Sequence, residues 1–289
     1  MIHAASRSAL AELRERLNTV LPDLSNARFN WIPLLGSHED DSQHRQLAED
    51  LYAAAELLSS QPRLRRALGD ASTDASARAE LARSLFAGRV GDVALELIAD
   101  AVALRWSSPW DVVDGLEILA DDVLLAAAEQ DGQLDTVEDE LFRFERILAN
   151  SGELGAALDE AGVPAERRRG LLDSLLGQKV HPITAQLLDH AVTSGRRPSL
   201  MLAIDDLLQA SAVRRERSVA RVLSATELTP EQTERLAAAL TRLYGREINV
   251  RTAVDEGVKG GLVVRVGDEV IDGSVARRLA EARAAFAGS

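Results

Sequence analysis

The chain contains few side chains of the kinds that carry out catalysis. No cysteine is present, which excludes thiolate catalysis, disulfides, zinc–thiolate sites and iron–sulfur clusters. The five histidines are scattered, and no two lie four residues apart as in the zinc-binding His-Glu-x-x-His motif. They are His3, His38, His44, His181 and His190. We interpret them as solvent-exposed or helix-capping residues and predict no metal site.

Phosphate-binding signals are also missing. Neither Lys179 nor Lys259 follows a glycine or precedes Ser or Thr, so a Walker-type loop is excluded. The run 257–261, Gly-Val-Lys-Gly-Gly, leads into a strand, whereas a dinucleotide fingerprint leaves a strand and opens a helix. We interpret this run as a turn that needs positive φ, and we expect no bound cofactor.

Neighbouring carboxylates do not form an acid–base pair either. The acidic pairs at 121–122, 139–140 and 205–206 are adjacent on expected helices, so their side chains diverge by about 100°. We interpret them as solvated helix faces. Gly-x-Ser-x-Gly is absent as well, so the sequence predicts no catalytic residue and no enzymatic activity.

Composition narrows the class of protein further. The 289 residues are 46% hydrophobic, enough for a core, and only 3% aromatic, which disfavours base-stacking surfaces and aromatic-lined ligand sites. The formal charge of −13 repels nucleic-acid phosphates and anionic lipid headgroups. No apolar run approaches 18 residues and no signal peptide is read at the start. We expect a soluble, cytoplasmic protein without nucleic-acid or small-molecule partners.

Most of the chain has the three- and four-residue apolar spacing of helices. The first helix is predicted from about Ser6 to Leu21, where Pro22 ends it. Residues 22–45 lack a helical period, and we predict a loop there. Further helices are predicted at about 46–60, 62–69, 75–87, 92–105 and 110–127, with a second set between about 136 and 213.

An internal repeat organises these helices. When residues 51–103 are compared with the residues 90 positions later, roughly 15 of 53 positions are identical without a gap, against about 5 expected from the composition. The period is too long for the common helical solenoids. We therefore predict a mainly α protein with two duplicated helical bundles, 1–127 and 128–215, followed by a small α/β domain at 216–289.

The last 75 residues change pattern. Alternating residues after 217 predict a strand, and Thr229-Pro230 with Gln232 predicts a capped helix. Strands are then predicted from 247 to 254, 261 to 266 and 269 to 271, and a last helix after Asp272.

This C-terminal region resembles the delta subunit of F-type ATP synthases, known in mitochondria as the oligomycin-sensitivity-conferring protein. The resemblance rests on the run 228–232, on 244–245 and on the long run 260–275, Gly-Gly-Leu-Val-Val-Arg-Val-Gly-Asp-Glu-Val-Ile-Asp-Gly-Ser-Val. The duplicated bundle and the Arg-rich, Lys-poor composition resemble the longer delta subunits of actinobacteria. One departure is Ser8-Ala9, where the family usually has a Tyr-Ala pair.

The resemblance implies a stator component without catalysis. In this family the subunit joins the alpha-subunit N-termini of the catalytic head to the membrane-anchored b subunit, at the cytoplasmic face of the cell membrane, and couples proton flow to ATP synthesis. The family's groove for the alpha-subunit helix, carried over by position, implies six contact residues: Leu10, Leu13, Leu17, Leu95, Ile98 and Val102. Ordinary bundle core is the alternative for all six, and which bundle holds the alpha-subunit helix stays open.

The resemblance also implies that the C-terminal tail contacts the b subunit. We assign that contact to one face of the last predicted helix, formed by Leu279, Ala282 and Phe286. The signature positions of the tail are assigned to the fold: Gly260, Gly261, Gly267, Asp268, Asp272, Gly273 and Ser274. The competing hypothesis is a free helical adaptor that uses the same tail in another complex.

Overall fold

In a computed structural model, the chain divides into two compact units, residues 1–208 and 209–289. The structure describes residues 4–26, 37–160, 162–177, 179–194, 196, 199–217, 219–244, 248–255, 258, 260–266 and 269–273. The predicted first bundle lies in unit 1, and so does most of the predicted second bundle. Unit 2 begins at Gln209, within the last long helix.

Unit 1 is built from helices, as the apolar spacing predicts. The N-terminal helix is α1 (Ala4–Asn26). The first repeat follows it and contains five helices: α2 (Ser37–Ser60), α3 (Pro62–Gly69), α4 (Ala75–Phe86), α5 (Asp92–Ala103) and α6 (Pro109–Gln130). The second repeat contains α7 (Leu134–Asn150), α8 (Gly152–Asp159), α9 (Ala165–Leu176), α10 (Pro182–Ser194) and α11 (Leu200–Arg217), which runs on into unit 2.

The predicted loop at 22–45 is largely wrong. Helix α1 continues through Pro22 to Asn26, and α2 already begins at Ser37. A proline removes one backbone hydrogen bond and bends a helix, but it does not always end it. Serine followed by acidic residues is a helix-start signal, and 37–41 has that composition. Residues 27–36 lie outside the described residues.

The 90-residue repeat is visible in the helix boundaries. Adding 90 to the bounds of α3 and α4 gives the bounds of α8 and α9 without any shift. Helix α10 likewise begins 90 residues after α5, and α7 ends 90 residues after α2. The duplicated helical pattern is therefore a duplicated arrangement of elements, while both repeats, apart from the end of α11, lie in unit 1. The division into two bundles stays a prediction.

Besides the end of α11, unit 2 contains a four-stranded mixed sheet and one further described helix. The elements are β1 (Val219–Ser224), α12 (Pro230–Tyr244), β2 (Asn249–Val254), β3 (Leu262–Val266) and β4 (Glu269–Asp272). The strand order is β2-β1-β3-β4, with β1 parallel to β2 and antiparallel to β3, and β3 antiparallel to β4. The mainly α fold with a small α/β tail is therefore confirmed. The last predicted helix lies outside the described residues.

The start of α12 confirms the predicted capping box. The Thr229 N–H donates to Gln232 Oε1 at 2.9 Å, and the Gln232 N–H donates to Thr229 Oγ1 at 3.3 Å. Leu240 is buried against the sheet with Val222, Ile248 and Val264. Leu243, three residues further along the helix, is 66% exposed.

Candidate functional site

The six residues implied as alpha-subunit contacts lie on α1 and α5, which pack against each other. Five of them are buried within the chain, with side chains 0–7% exposed: Leu10, Leu13, Leu17, Ile98 and Val102. Leu95 is half-buried. The structure therefore brings the six together at one place in unit 1, and Leu95 is the member with accessible surface. Their role as partner contacts stays a prediction.

Polar contacts fix α1 against its neighbours. The buried Ser6 hydroxyl donates to Asp111 Oδ2 at 2.5 Å and accepts from the Ser107 N–H at 2.9 Å. Further along, Arg14 Nε lies 2.6 Å from Asp122 and Arg16 lies 2.6 Å from Asp100 of α5. These bonds join residues more than 80 positions apart and hold α1 in register with α5 and α6.

Carboxylates at equivalent positions cap the α5 and α10 helices. The Gly91 N–H, at the start of α5, donates to Asp50 Oδ2 at 2.7 Å. Ninety residues later, the His181 N–H at the start of α10 donates to Glu140 Oε2 at 2.9 Å. A carboxylate at a helix N-terminus satisfies unpaired N–H groups and complements the helix dipole. Each cap also ties one helix of its repeat to another.

Arginines at equivalent positions hold the other ends of the same helices. Arg78 is 4% exposed and donates to the Ala103 carbonyl at 3.0 Å, at the C-terminus of α5. Arg168 donates to the Thr193 carbonyl at 3.4 Å, near the C-terminus of α10. Cations at a helix C-terminus are favoured by its orphan carbonyls. The repeat thus preserves interhelical anchors as well as apolar spacing.

The two repeats meet where α10 packs against α2 and α6. The His190 ring stacks on the Tyr52 ring with centroids 3.6 Å apart. The Tyr52 hydroxyl donates to Asp121 Oδ1 at 2.5 Å, and burial together with this carboxylate raises the Tyr52 pKa well above its usual range. Burial lowers the pKa of His190 to about 4. We call Tyr52, Asp121, His190, Glu117 and Arg196 the repeat junction.

Arg196 closes one side of the repeat junction. Its Nε lies 3.1 Å from the Glu117 carboxylate, and its terminal nitrogen contacts Asp114, also on α6. The side chains of Arg196 and Glu117 are only 14% and 12% exposed. Two arginines make cation–π contacts with Trp110, at the start of α6. The guanidinium carbon of Arg65 is 3.5 Å from the ring centroid, and that of Arg196 is 4.7 Å from it.

These contacts correct two interpretations made from spacing alone. His44 is 1% exposed and His190 is largely buried, so the prediction that they are exposed to solvent is wrong. His181 does cap a helix, because its Nδ1 accepts a hydrogen bond from the Ile183 N–H. The carboxylates expected on solvated faces include Asp121 and Glu140, which bind groups on other helices. Periodicity identifies the helix face of a residue but cannot identify the helix that covers it. The side chains of His3 and His38 lie outside the described residues.

The glycine run of the tail serves the backbone, as predicted. Gly260 and Gly261 have φ of +80° and +84°, a region that only glycine adopts without strain. The Gly273 N–H donates to the Leu262 carbonyl at 2.8 Å, and a Cβ on Gly273 would lie 3.2 Å from that oxygen. Signature residues Gly267, Asp268 and Ser274 lie outside the described residues.

Unit 2 has an open apolar groove of about 610 Å³ between α12 and the start of β3. Leu228, Leu236 and Leu262 line it together with Arg235 and Arg242, which lie seven positions apart on one face of α12. The b-subunit contact residues implied by the resemblance, Leu279, Ala282 and Phe286, lie outside the described residues.

Groups suited to metal binding or to membrane insertion are not found in the described part of the chain. There, no three His, Cys, Asp or Glu side chains converge on a site that could hold a metal ion. Among the same residues, no helix has the length and apolar character needed to cross a bilayer. The features found are buried helix faces and interhelical anchors.

Comparison with known proteins identifies the family. The family model "ATP synthase delta (OSCP) subunit" matches residues 122–286. Proteins named ATP synthase subunit delta are similar over nearly the whole chain: one from Streptomyces griseus is 42% identical over 99% of this chain and 100% of its own, and one from Nocardia farcinica is 40% identical over 98% of each. A solved chain of the Toxoplasma gondii mitochondrial ATP synthase hexamer covers 57% of this chain and 94% of its own at 20% identity, with a TM-score of 0.28. The chain belongs to the ATP synthase delta (OSCP) subunit family.

Proposed function

We propose that this chain is the stator component that links the catalytic head of an F-type ATP synthase to its membrane-anchored stalk. Unit 1 binds the alpha-subunit N-terminus and unit 2 binds the b subunit, on the cytoplasmic face of the membrane. The chain catalyses no reaction, and it couples proton flow to ATP synthesis by keeping the head from turning with the rotor.

Family membership over the full length is the observation that carries the proposal. The physical character of unit 1 supports it. A stator must hold its shape under torque, and the helices of unit 1 are joined by buried and partly buried polar anchors between distant segments, such as Ser6 to Asp111 and Glu140 to His181. Buried, fully paired polar contacts fix one arrangement of helices more strictly than apolar packing alone.

Coupling is the direct test of this function. The chain is removed from membrane vesicles that carry the complete synthase, and ATP synthesis driven by a proton gradient is measured together with ATP hydrolysis. Synthesis should be lost, hydrolysis should persist, and adding back the purified full chain should restore synthesis. Loss of hydrolysis in parallel, or synthesis that does not need the chain, would contradict a coupling role.

The alpha-subunit contact is best probed at Leu95. Among the six implied residues, Leu95 is half-buried and the other five are buried within the chain. Replacing Leu95 by Arg should prevent binding of an alpha-subunit N-terminal peptide while the melting temperature stays near that of the unchanged chain. Leu13 is 0% exposed, so Leu13→Ala should instead unfold part of unit 1, since burying a leucine contributes about 2–5 kcal/mol. Binding that survives Leu95→Arg would place the contact elsewhere.

The b-subunit contact is assigned to unit 2, through Leu279, Ala282 and Phe286. The groove along α12 offers a second surface in the same unit, with Arg235 and Arg242 positioned for acidic side chains. We expect Phe286→Ala to weaken capture of the b subunit, and Arg235→Glu to weaken it only when the groove takes part. Leu243→Ala is a matched control, since that residue is exposed on α12 outside the groove lining.

The competing function is a helical adaptor in an unrelated complex. Purification of the native complex through a tag on this chain distinguishes the two. Recovery of the alpha and b subunits supports the stator, and recovery of other proteins without any synthase subunit supports the adaptor.

A further inference from the structure

The second repeat has no counterpart of α1. Helices α2 to α6 reappear as α7 to α11, but only residues 131–133 separate the end of α6 from the start of α7. Three residues leave no room for a further helix. In the first repeat, α1 lies against α5 and α6. The equivalent side of the second repeat must therefore be covered by something else or be left open.

One pair of equivalent positions shows what covers that side. In α5, Asp100 faces α1 and pairs with Arg16 at 2.6 Å. Ninety residues later stands His190 of α10, which faces the first repeat and stacks on Tyr52 of α2. The same position of the repeat thus meets α1 in one copy and α2 in the other.

Other contacts from the second repeat reach the same two helices. On α10, one turn before His190, the Gln186 amide lies 3.5 Å from Glu49 of α2. After α10 ends, Arg196 lies 3.1 Å from Glu117 of α6. Burial keeps the His190 ring neutral near pH 7, since its pKa is lowered to about 4, so no unpaired charge is enclosed.

We infer that α2 and α6 of the first repeat give the second repeat the cover that α1 gives the first, so that the second repeat offers no open counterpart of the α1–α5 surface to a partner helix. The duplicated bundle is then a fixed extension of the first and not a second head-binding module. The consequence for the partner helix rests on the proposed function. The contact between the two repeats is independent of the proposed function.

The contact itself is tested by opening it. In the full chain, His190→Glu places a carboxylate beside Glu117, which lies 3.9 Å from the His190 ring, and amide hydrogen exchange should accelerate about tenfold or more in both α10 and α2. Arg169→Ala is the matched control, because it removes an exposed ion pair with Asp189 of α10 that does not involve the first repeat. Exchange that rises in α10 alone, as in the control, would overturn the inference.

A measurement without disruptive substitution guards against general unfolding of the variant. The chain has no cysteine, so nitroxide labels attach only at introduced ones. Labels at the exposed positions Gln61 and Ser174, one in each repeat, should give a single narrow distance distribution by pulsed electron resonance. A broad distribution would mean that the repeats move independently, and the inference would fail.

The stoichiometry of partner binding tests the consequence. A peptide of the alpha-subunit N-terminus, titrated calorimetrically into the full chain, should bind once. Leu95→Arg should abolish binding, whereas Ala185→Arg, the equivalent position in α10, should leave it unchanged. Two bound peptides, or loss of binding with Ala185→Arg, would overturn the inference. No binding to the unchanged chain would refute the proposed alpha-subunit contact, while the exchange and distance measurements still decide the contact between repeats.

Discussion

Replacing His190 by Phe should remove a defined part of the pH dependence of stability. In the unfolded chain the pKa of this histidine is about 6.5. In the folded chain its pKa is lowered to about 4, mainly by burial. The Asp189 carboxylate opposes this shift and the Arg196 guanidinium adds to it. Folding therefore disfavours the protonated form, and stability is lost as the pH falls from about 6.5 to about 4.

The size of the effect follows from the two pKa values. A difference of roughly 2.5 units corresponds to about 3 kcal/mol at pH values below both, and to about 2 kcal/mol at pH 5. Phenylalanine keeps an aromatic ring on Tyr52 but cannot bind a proton. His190 Nε2 has no hydrogen-bond partner among the described residues, and the nearest Glu117 oxygen is 3.9 Å away, so the substitution breaks no such bond at Nε2.

The assay is urea unfolding of both proteins at pH 7.5 and pH 5, followed by the helical signal in circular dichroism. Between these pH values the unchanged chain should lose about 2 kcal/mol more of its unfolding free energy than His190→Phe does. Contributions from carboxylates common to both proteins cancel in the comparison. Equal losses in the two proteins would show that His190 is not buried against Tyr52 as described.

Four further substitutions test the local arguments. Thr229→Ala removes the capping-box hydroxyl and should cost about 1 kcal/mol, measured by urea unfolding of the full chain. Gly170→Ala, on an open face of α9, should stabilise the folded chain by about 0.5–1 kcal/mol. Gly69→Ala should destabilise it, because the new Cβ would lie 2.6 Å from Pro109 Cα. A calorimetric scan in which Gly69→Ala melts above Gly170→Ala would contradict this packing. Gly261→Val should lower b-subunit binding and the melting temperature together, since φ is +84°; lost binding at an unchanged melting temperature would instead make Gly261 a contact residue.

Local chemistry made several elements predictable. The capping box at Thr229 depends on residues three positions apart, and the positive φ of Gly261 depends on the glycine itself, so both were accessible from the sequence. The α1–α2 region was less so. Pro22 and the irregular pattern after it predict a loop, but the helices on either side extend further than residue preferences indicate.

The repeat, the helical character and the family follow from the amino-acid sequence alone, because apolar spacing, glycine positions and identities at a fixed offset are properties of the chain order. Which helix covers each face, by contrast, is seen only in the folded chain. His190 and Asp100 occupy equivalent positions, yet one stacks on Tyr52 and the other pairs with Arg16. Helical periodicity assigns each residue to a face, but burial and pKa depend on segments distant in sequence, which only the folded chain brings together.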